Sequence, residues 1–515
     1  MNEVGEAHVG ASRFMGTALV AKDTEVLFNR SFGWANLEWN IANTPTTKFR
    51  IGSVTKQFTA AAILLLEERG KLTLEDPISK HVPDAPAAWQ DVTVFHLLTH
   101  TSGIPSFTGF KEYNTAKLSA STPEKIMAEV RDRPLEFTPG EKFTYSNSGY
   151  LLLGYIIERV SGQPYGAFLH ENVFTRLGMG DTGVDSNAAI IPRRAAGYVP
   201  GGRGLANAPY IDMSVPHAAG ALYSTTADLW RWQQGLFGGK LLSPESLAKM
   251  ITPHKGGYAL GVGVQTVDGR KVIAHGGGIE GFNSHLMYFP GEKLTVAVLA
   301  NVNGPTAAEF AQQLAKLAFN ETVTLAAERK EIAIPAERLK DYVGTYQLTP
   351  RITIKVRAKD GQLTTQLSGQ GELPLFAESP SKFFLKVVDA QIEFVRETGR
   401  VASLILYQGG RTQQAPRISD KVEERQAIEV PRATLERYVG TYEVRAGFDL
   451  VVTLEEDQLM TQATGQSKLP LYPESETKFF LKAVDAQLEF FKDEAGAVTR
   501  AVLYQGGAEI QALRK

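Results

Sequence analysis

Residues 49–56, which read FRIGSVTK, are the stretch on which the interpretation of this sequence depends. After them, Phe58, Leu65 and other apolar residues recur at helical spacing, and Gly70 stands where a glycine commonly ends a helix. The pattern predicts a helix over residues 53–70. Ser53 and Lys56 then lie three positions apart on one helix face, so the hydroxyl and the amine can meet.

A serine becomes an effective nucleophile when a neighbouring base takes its proton. A lysine can be that base only when it is neutral, and burial or nearby positive charge lowers its pKa toward that state. A helix that begins at Ser53 would add partial positive charge and free backbone N–H groups there. Taken alone, the spacing also fits a capping serine followed by a solvated lysine, so it needs support from other motifs.

Residues 145–147, which read YSN, precede a second predicted helix whose apolar residues end near Gly162. A tyrosine can relay a proton when cationic neighbours lower its pKa. An asparagine can orient a substrate amide, because its side chain both donates and accepts hydrogen bonds. The alternative for this motif is a capping segment with a packed aromatic ring.

Residues 275–278, which read HGGG, follow an apolar stretch and are predicted to end a strand over 272–275. Glycines allow a close approach of the backbone, and an N–H group at this point could bind an oxyanion. The alternative is a flexible turn.

The three motifs occur in an order that resembles the serine penicillin-binding protein and class C β-lactamase superfamily. That group includes DD-peptidases, D-aminopeptidases and family VIII esterases of the β-lactamase-like type. Three further segments, residues 49–52, 96–103 and 220–225, are similar to supporting motifs of the family. The resemblance covers about residues 12–320.

The resemblance implies roles for the matching residues. Ser53 would be the nucleophile, and Lys56 and Tyr145 would share the general acid and base work, with the division between them left open. The backbone N–H groups of Ser53 and Gly278 would form the oxyanion hole of this variant of the serine triad.

The same resemblance assigns substrate binding to Asn147, His275 and Gly277. Many members have lysine where this chain has His275, and lysine suits the carboxylate of a penicillin or of a peptide C-terminus. Histidine is neutral or partly charged near pH 7, and the D-aminopeptidases of the family have it at this position. Hydrolysis of D-amino-acid peptides, amides or esters is therefore favoured over β-lactamase or DD-carboxypeptidase activity.

Residues 1–327 are predicted to form an α/β (α+β) catalytic domain of the β-lactamase/transpeptidase-like class. Its antiparallel sheet would be flanked by helices, with a mainly helical insertion at about residues 76–200 as a helical subdomain. The predicted strands of the sheet are residues 17–20, 25–28, 272–275, 284–289 and 294–300.

The last third of the chain is a duplicated unit. Five short motifs, among them YVGTY at residues 342–346 and 438–442, recur 96 or 97 positions apart. Each copy shows short alternating strands and a hairpin turn such as Asp360-Gly361. The copies predict two small antiparallel, lipocalin-like β-barrels over residues 336–418 and 431–515. A charge-rich linker is expected between the copies at residues 419–430, and a second linker before the first copy at residues 328–335.

Composition excludes several classes of function. Lys plus Arg number 54 and Asp plus Glu 56, a net charge of −2, which is not the footprint of a nucleic-acid-binding protein. The absence of cysteine rules out disulfides and thiol catalysis. His96 and His100 have the spacing of metal ligands, but Leu97 replaces the glutamate of that motif, so we expect packing and no metal or cofactor.

The predicted partner is a small molecule or a short peptide, and the oligomeric state stays open. The longest apolar run, residues 60–66, is too short to cross a bilayer, and residues 1–13 lack the apolar core of a signal peptide. We expect a soluble protein without an integral membrane segment. The sequence does not decide between the cytoplasm and a periplasmic or secreted location reached with a signal peptide since removed.

Two classes of function remain open at this stage. One is an acyl-transfer hydrolase, and the other is a non-catalytic, penicillin-binding-like protein whose barrels grip a ligand or a cell-wall fragment. The joint presence of the serine, lysine, tyrosine and asparagine favours the hydrolase, because a binder has no need of all four. Residues 106–113 could line the mouth of a pocket or form an ordinary surface loop.

Overall fold

The computed structural model describes residues 1–10, 13–201, 204–325, 328–408, 411–445 and 447–515. The chain forms two compact units, Met1–Val323 and Thr324–Lys515. In the described part of the chain, no helix combines the length and the apolar character needed to cross a membrane.

The first unit is built on a six-stranded antiparallel sheet with helices around it, as the sequence predicted. Its helices are α1 (Asn2–Gly10), α2 (Thr55–Glu68), α3 (Val94–Leu98), α4 (Tyr113–Ala116), α5 (Pro123–Arg131), α6 (Asn147–Ser161), α7 (Tyr165–Leu169), α8 (Thr175–Leu177), α9 (His217–Gly220), α10 (Thr226–Phe237), α11 (Pro244–Ile251) and α12 (Thr306–Ala318). Its strands are β1 (Gly16–Lys22), β2 (Glu25–Phe32), β3 (Trp34–Asn36), β4 (Ile41–Ala42), β5 (Phe49–Arg50), β6 (Gly183–Val184), β7 (Tyr198–Gly201), β8 (Gly204–Asn207), β9 (Leu222–Ser224), β10 (Gly263–Val267), β11 (Arg270–Ile279), β12 (Phe282–Phe289) and β13 (Leu294–Ala300).

The main sheet has the strand order β10-β11-β12-β13-β1-β2, so the hairpin from the start of the chain pairs with strands from the end of the unit. Helix α2 lies in the core, and its residues 55–66 are all buried. Its polar side chains have partners there. Gln57 accepts a hydrogen bond from Trp232 Nε1 at 2.9 Å, and Thr59 Oγ1 donates to the carbonyl oxygen of Ala218 at 2.7 Å. A helix buried on all sides gives each of its side chains a fixed place.

Two local predictions need correction. Ser53 does not lie in the first turn of the α-helix, because residues 52–54 form a 3₁₀ turn and α2 begins at Thr55. The glycines after His275 do not end the strand, because β11 continues to Ile279 and pairs with β12 throughout. Glycine inside a strand is unfavourable on average. In β11, however, the absence of a side chain on Gly277 allows the backbone of Ile51 to approach closely.

The second unit contains two closed eight-stranded barrels. The first follows α13 (Ala336–Leu339) and consists of β14 (Gly344–Thr349), β15 (Ile352–Lys359), β16 (Gln362–Leu367), β17 (Leu373–Ala377), β18 (Lys382–Phe384), β19 (Ala390–Glu397), β20 (Arg400–Gln408) and β21 (Arg411–Ser419). The second follows α14 (Arg432–Glu436) and consists of β22 (Gly440–Arg445), β23 (Phe448–Glu455), β24 (Gln458–Ala463), β25 (Leu469–Pro473), β26 (Lys478–Leu481), β27 (Ala486–Lys492), β28 (Val498–Gln505) and β29 (Ala508–Arg514).

Aromatic side chains fill the interior of each barrel at equivalent positions. The fully or almost fully buried rings are those of Tyr342, Tyr346, Phe383 and Phe394 in the first barrel and of Tyr438, Tyr442, Phe479 and Phe490 in the second. In both, the second tyrosine donates to the carbonyl oxygen of the first, at 2.7 and 2.8 Å. Small barrels are commonly filled in this way. A packed interior does not favour the alternative in which the barrels hold a ligand inside them.

The segments expected to be linkers are attached to the barrels. Arg329 pairs with Asp389 at 2.7 Å, and 96 positions later Arg425 pairs with Asp485 at 2.8 Å. The N–H of Ile332 donates to β17 and that of Ile428 to β25. We call residues 328–335 and 424–431 the straps of the two barrels. Each segment expected to be a linker therefore contains an arginine, Arg329 or Arg425, that forms the same ion pair with its own barrel.

Candidate active site

Lys56 and Ser53 meet at the start of α2, as the spacing predicted. The Lys56 amine is fully buried, and its Nζ lies 3.1 Å from Ser53 Oγ, 2.9 Å from Asn147 Oδ1 and 2.7 Å from the carbonyl oxygen of Ala219. Burial holds the pKa of Lys56 well below its usual range. A neutral amine that donates to the amide and carbonyl oxygens keeps its lone pair for the serine proton.

Two close backbone contacts bring Gly278 next to Ser53. Gly52 has φ +50, and a Cβ there would lie 2.8 Å from the backbone nitrogen of Gly278. A Cβ on Gly277 would lie 1.9 Å from the carbonyl oxygen of Ile51. These contacts exclude other residues at both positions without a shift of the backbone. The close approach explains why glycines occur inside β11, and it brings the backbone of Gly278 against the turn that carries Ser53.

Tyr145 borders the same serine from the other side. Its hydroxyl interacts with Ser53, and Lys56 Nζ lies 4.9 Å from the centre of its ring. Burial raises the pKa of Tyr145, and the contact with Ser53 only partly opposes this rise. Cationic neighbours, which could favour a proton relay by lowering this pKa, do not do so here, because loss of hydration dominates and Lys56 itself is held toward its neutral form.

Asn147, the first residue of α6, is held at both ends of its side-chain amide. Its Oδ1 accepts from Lys56, and its Nδ2 donates to Thr108 Oγ1 at 3.1 Å. Its backbone N–H donates to Ser106 Oγ at 3.0 Å. The amide therefore positions Lys56 in addition to lining the cleft described below.

His275 lies beside Tyr145, with 6.3 Å between the ring centres. Its Nδ1 lies 2.6 Å from the carbonyl oxygen of Gly276, so Nδ1 carries the proton, and Nε2 lies 2.9 Å from Tyr258 Oη and accepts from it. Burial and the neighbouring Lys56 lower the pKa of His275 to about 3. The imidazole is therefore neutral near pH 7 and does not replace the lysine cation that other members carry here.

His100 supports the site from behind. Its ring centre lies 4.2 Å from that of Tyr145, and its Nδ1 accepts the backbone N–H of Ser146 at 3.1 Å. His96 instead caps α3 together with Thr93. These contacts agree with the expected packing and capping roles of the two histidines. Among the described residues, no group of three or more His, Asp and Glu side chains is placed to hold a metal ion.

An open cleft of about 480 Å³ lies in front of Ser53. The residues that line this cleft do not include Tyr145, Lys56, His275 or Gly277. The lining residues are Gly52, Ser53, Phe107, Thr108, Tyr113, Lys117, Asn147, Val199, Pro209, Ile211, Pro216, Ala219, Gly220, Gly278, Ile279, Glu280 and Asn303. Residues 106–113 thus contribute to the wall, which confirms the pocket-mouth interpretation of that segment.

One pair of cleft residues was not predicted from the sequence. Lys117 Nζ lies 2.7 Å from Glu280 Oε1, and the two side chains are 13% and 16% exposed. They are 163 positions apart, so no local pattern could connect them. Glu280 does follow the HGGG motif after one residue, which was the available signal that it lies near the site.

Comparisons with known proteins agree with this architecture. A family model described as beta-lactamase matches residues 6–319, and a domain of unknown function, DUF3471, matches residues 328–421 and 424–514. Penicillin-binding protein 4* of Bacillus subtilis (strain 168) is 30% identical over 445 residues, which cover 80% of this chain and 96% of that protein.

Two solved structures are similar to the fold. An octameric penicillin-binding protein homologue from Pyrococcus abyssi is 29% identical with a TM-score of 0.59, over 80% of this chain and 98% of that one. The D-amino acid amidase of Ochrobactrum anthropi SV3, in complex with D-phenylalanine, is 26% identical with a TM-score of 0.53, over 59% of this chain and 91% of that one.

The strand order of the main sheet, together with a serine and a buried lysine where the buried helix α2 begins, is typical of serine hydrolase-type proteins. This is the class that the three sequence motifs resembled. The chain belongs to the beta-lactamase family, together with penicillin-binding protein homologues. The predicted fold class is confirmed, including the two barrels that follow the catalytic unit.

Proposed function

We propose that this protein is a serine hydrolase that forms an acyl-enzyme at Ser53 and acts on D-amino-acid amides, short peptides or esters. The observation that carries the proposal is the buried amine of Lys56, 3.1 Å from Ser53 Oγ, in a position to take the serine proton. Removing a lysine amine from water costs free energy, and a residue with a purely structural role does not need a buried amine held toward its neutral form.

In the proposed first step, Lys56 accepts the proton of Ser53 while Oγ attacks the substrate carbonyl carbon. The oxygen that becomes negative is held by the backbone N–H groups of Ser53 and Gly278. Tyr145, whose raised pKa keeps its hydroxyl protonated, passes its proton to the leaving amine or alkoxide and is reprotonated from Lys56. The carbonyl bond to the leaving group breaks, and the acyl group remains on Ser53.

In the second step a water molecule attacks the acyl-enzyme. Its proton returns through the same groups, the ester bond to Ser53 breaks, and the carboxylic acid product leaves. Asn147 keeps the Lys56 amine in place through both steps, because the hydrogen bond between them does not involve the serine.

Two features support the substrate class. Neutral His275 offers no cation to a carboxylate, which does not favour substrates that are bound by a free C-terminus or by the acid group of a penicillin. The wall of the cleft includes the apolar side chains of Phe107, Val199 and Ile211, which suit an apolar or aromatic side chain of the substrate. The 26% identity to a D-amino acid amidase supports the same class.

A second candidate is β-lactamase or DD-carboxypeptidase activity, which the relation to penicillin-binding protein 4* supports. A third is ligand binding without catalysis, which would leave the neutral lysine unused.

The test compares four acyl donors with the wild-type protein and with Ser53→Ala. The donors are D-phenylalaninamide, D-alanine p-nitroanilide, p-nitrophenyl butyrate and a chromogenic cephalosporin. We expect turnover of the first three that Ser53→Ala abolishes, and a mass increase of one acyl group on the wild-type chain. Turnover of the cephalosporin alone would select the second candidate. No turnover and no adduct with any donor would reject the hydrolase.

A further inference from the structure

The Lys117–Glu280 pair brings two opposite charges into the wall of the cleft that contains Ser53. Removing a pair of charges from water costs free energy that their mutual attraction does not always return. An ion pair at this depth is therefore a weak explanation for stability, and its position beside the nucleophile points to a role in binding.

The two partners do not depend equally on each other. Lys117 Nζ also lies 5.4 Å from the centre of the Tyr113 ring, which offers the ammonium group a second favourable position. Burial and Glu280 raise the pKa of Tyr113 to about 12, so its phenol stays neutral. Lys117 can leave Glu280 and remain over this ring. The Glu280 carboxylate, in contrast, needs a new cation as soon as Lys117 moves away.

Glu280 also occupies a suitable place along the chain. It follows Gly278, the proposed oxyanion donor, by two residues and lies just after the end of β11 at Ile279, so at most about 7 Å of backbone separates the two residues. The α-ammonium group of an aminoacyl substrate is two bonds from the carbonyl carbon that Ser53 would attack. Because Ser53, Gly278 and Glu280 line one cleft, a free α-ammonium group beside a carbonyl held between Ser53 and Gly278 would share that cleft with the Glu280 carboxylate.

We infer that Glu280 binds the free α-ammonium group of the substrate and that Lys117 occupies Glu280 when the cleft is empty. This inference rests on the proposed function and names its substrate class as amino-acid amides and peptides with an unblocked amino terminus. A blocked substrate carries no charge with which to displace Lys117. A substrate carboxylate at the same place would gain Lys117 but would face Glu280, so the pair does not suit an anion.

The test measures kcat/KM for two substrates that differ only in this charge, D-alanine p-nitroanilide and N-acetyl-D-alanine p-nitroanilide. The wild-type protein should prefer the free amine. Glu280→Gln should lower the ratio of free-amine to acetylated rates by about 10–100-fold, the worth of a hydrogen bond to a charged group. Lys117→Met removes the competing cation and should raise the ratio.

Two further variants separate recognition from folding. Lys117→Met combined with Glu280→Gln leaves no unpaired buried charge, and it should show the low ratio of Glu280→Gln. Glu67→Gln is the matched control, because it makes the same change in a glutamate that pairs with Lys249 at 2.9 Å far along α2. It should keep the wild-type ratio.

An equal fall of both rates in Glu280→Gln would mean that the pair only holds the cleft wall together, and it would overturn the inference. So would a lower ratio in Lys117→Met. Ser53-dependent turnover of p-nitrophenyl butyrate by the wild-type protein reports on the proposed function separately. If the ester is hydrolysed and the ratios do not move, the inference fails alone. If no donor is hydrolysed, both fail together.

Discussion

The amine of Lys56 lies 2.7 Å from the backbone carbonyl oxygen of Ala219, the third residue of the one-turn helix α9. A carbonyl oxygen is an acceptor only, so this contact fixes one N–H of the amine in a direction away from the serine. The position of Lys56, the proposed general base, thus depends in part on a backbone atom 163 positions later in the chain, which no side-chain substitution at Ala219 can remove.

Replacing Lys56 by methionine is expected to reduce kcat/KM by about 10²–10⁴-fold, the usual worth of a general base. Wild-type activity should rise with pH through the lowered pKa of Lys56, because only the neutral amine accepts the serine proton. The measurement is a pH–rate profile with p-nitrophenyl butyrate. An acid limb unchanged in Lys56→Met would exclude Lys56 as the group that titrates.

The same residue links stability to pH. Between the lowered pKa of folded Lys56 and the ordinary lysine value near 10.4, the unfolded chain binds more protons than the folded one. The free energy of unfolding should therefore rise with pH in this window, by up to about 1.4 kcal/mol per pH unit from this group. Urea unfolding of the wild type and of Lys56→Met at several pH values tests this. Parallel curves for the two proteins would contradict it.

Tyr145→Phe is expected to slow turnover by about 10²–10⁴-fold while leaving the fold intact, because the ring keeps its contacts with His100 and Lys56. The loss should be greater for an anilide than for a p-nitrophenyl ester, because the amine leaving group needs a proton and p-nitrophenolate does not. Equal losses on the two substrates would argue against proton delivery by this hydroxyl.

His275 should not titrate in the neutral range, because its pKa is lowered to about 3. Its neutral form is therefore expected at every pH used for the assays proposed above. Nitrogen-15 spectra of the imidazoles, with His275→Gln used for assignment, should show this ring neutral and protonated on Nδ1 from pH 5 to pH 8. Protonation near pH 6.5 would instead make His275 a cation available to substrate carboxylates.

Gly277→Ala is expected to abolish most activity, because its Cβ would lie 1.9 Å from the carbonyl oxygen of Ile51 and 2.3 Å from Ser284 Oγ. The clash must move β11 away from the turn that carries Ser53, and with it the Gly278 N–H. Gly291→Ala, where nothing lies within 4 Å of the added carbon, is the control. Full activity of the Gly277 variant would show that the oxyanion site tolerates such a shift.

The sequence predicted the parts of the structure that depend on local order. The helix after Ser53, the hairpin at the start of the chain and the repeated strands have periodic patterns, and all three are present. Strand β17 contains Pro374, which is a signal against a strand, yet Pro374 pairs opposite Thr364 of β16.

The remaining features of the site depend on contacts between distant parts of the chain. The direction of the Tyr145 pKa shift follows from burial, which a motif does not reveal. The Lys117–Glu280 pair joins two segments with no shared pattern, and the wall of the cleft is assembled from at least six separate stretches of sequence. Motif order indicated the proposed nucleophile, Ser53, and its neighbours, but not the side chains that would select a substrate.

The two straps have a consequence for how the C-terminal unit can be divided. Because Arg329 and Arg425 make equivalent contacts with the barrels that follow them, each module begins with its strap, several residues before its first strand. A boundary placed at the start of the second barrel's strands would separate Asp485 from Arg425 as well as from its other cation, Lys355 of the first barrel. The modular unit of this tail is thus the strap with its barrel, and a cut that respects it falls between Ser419 and Glu424.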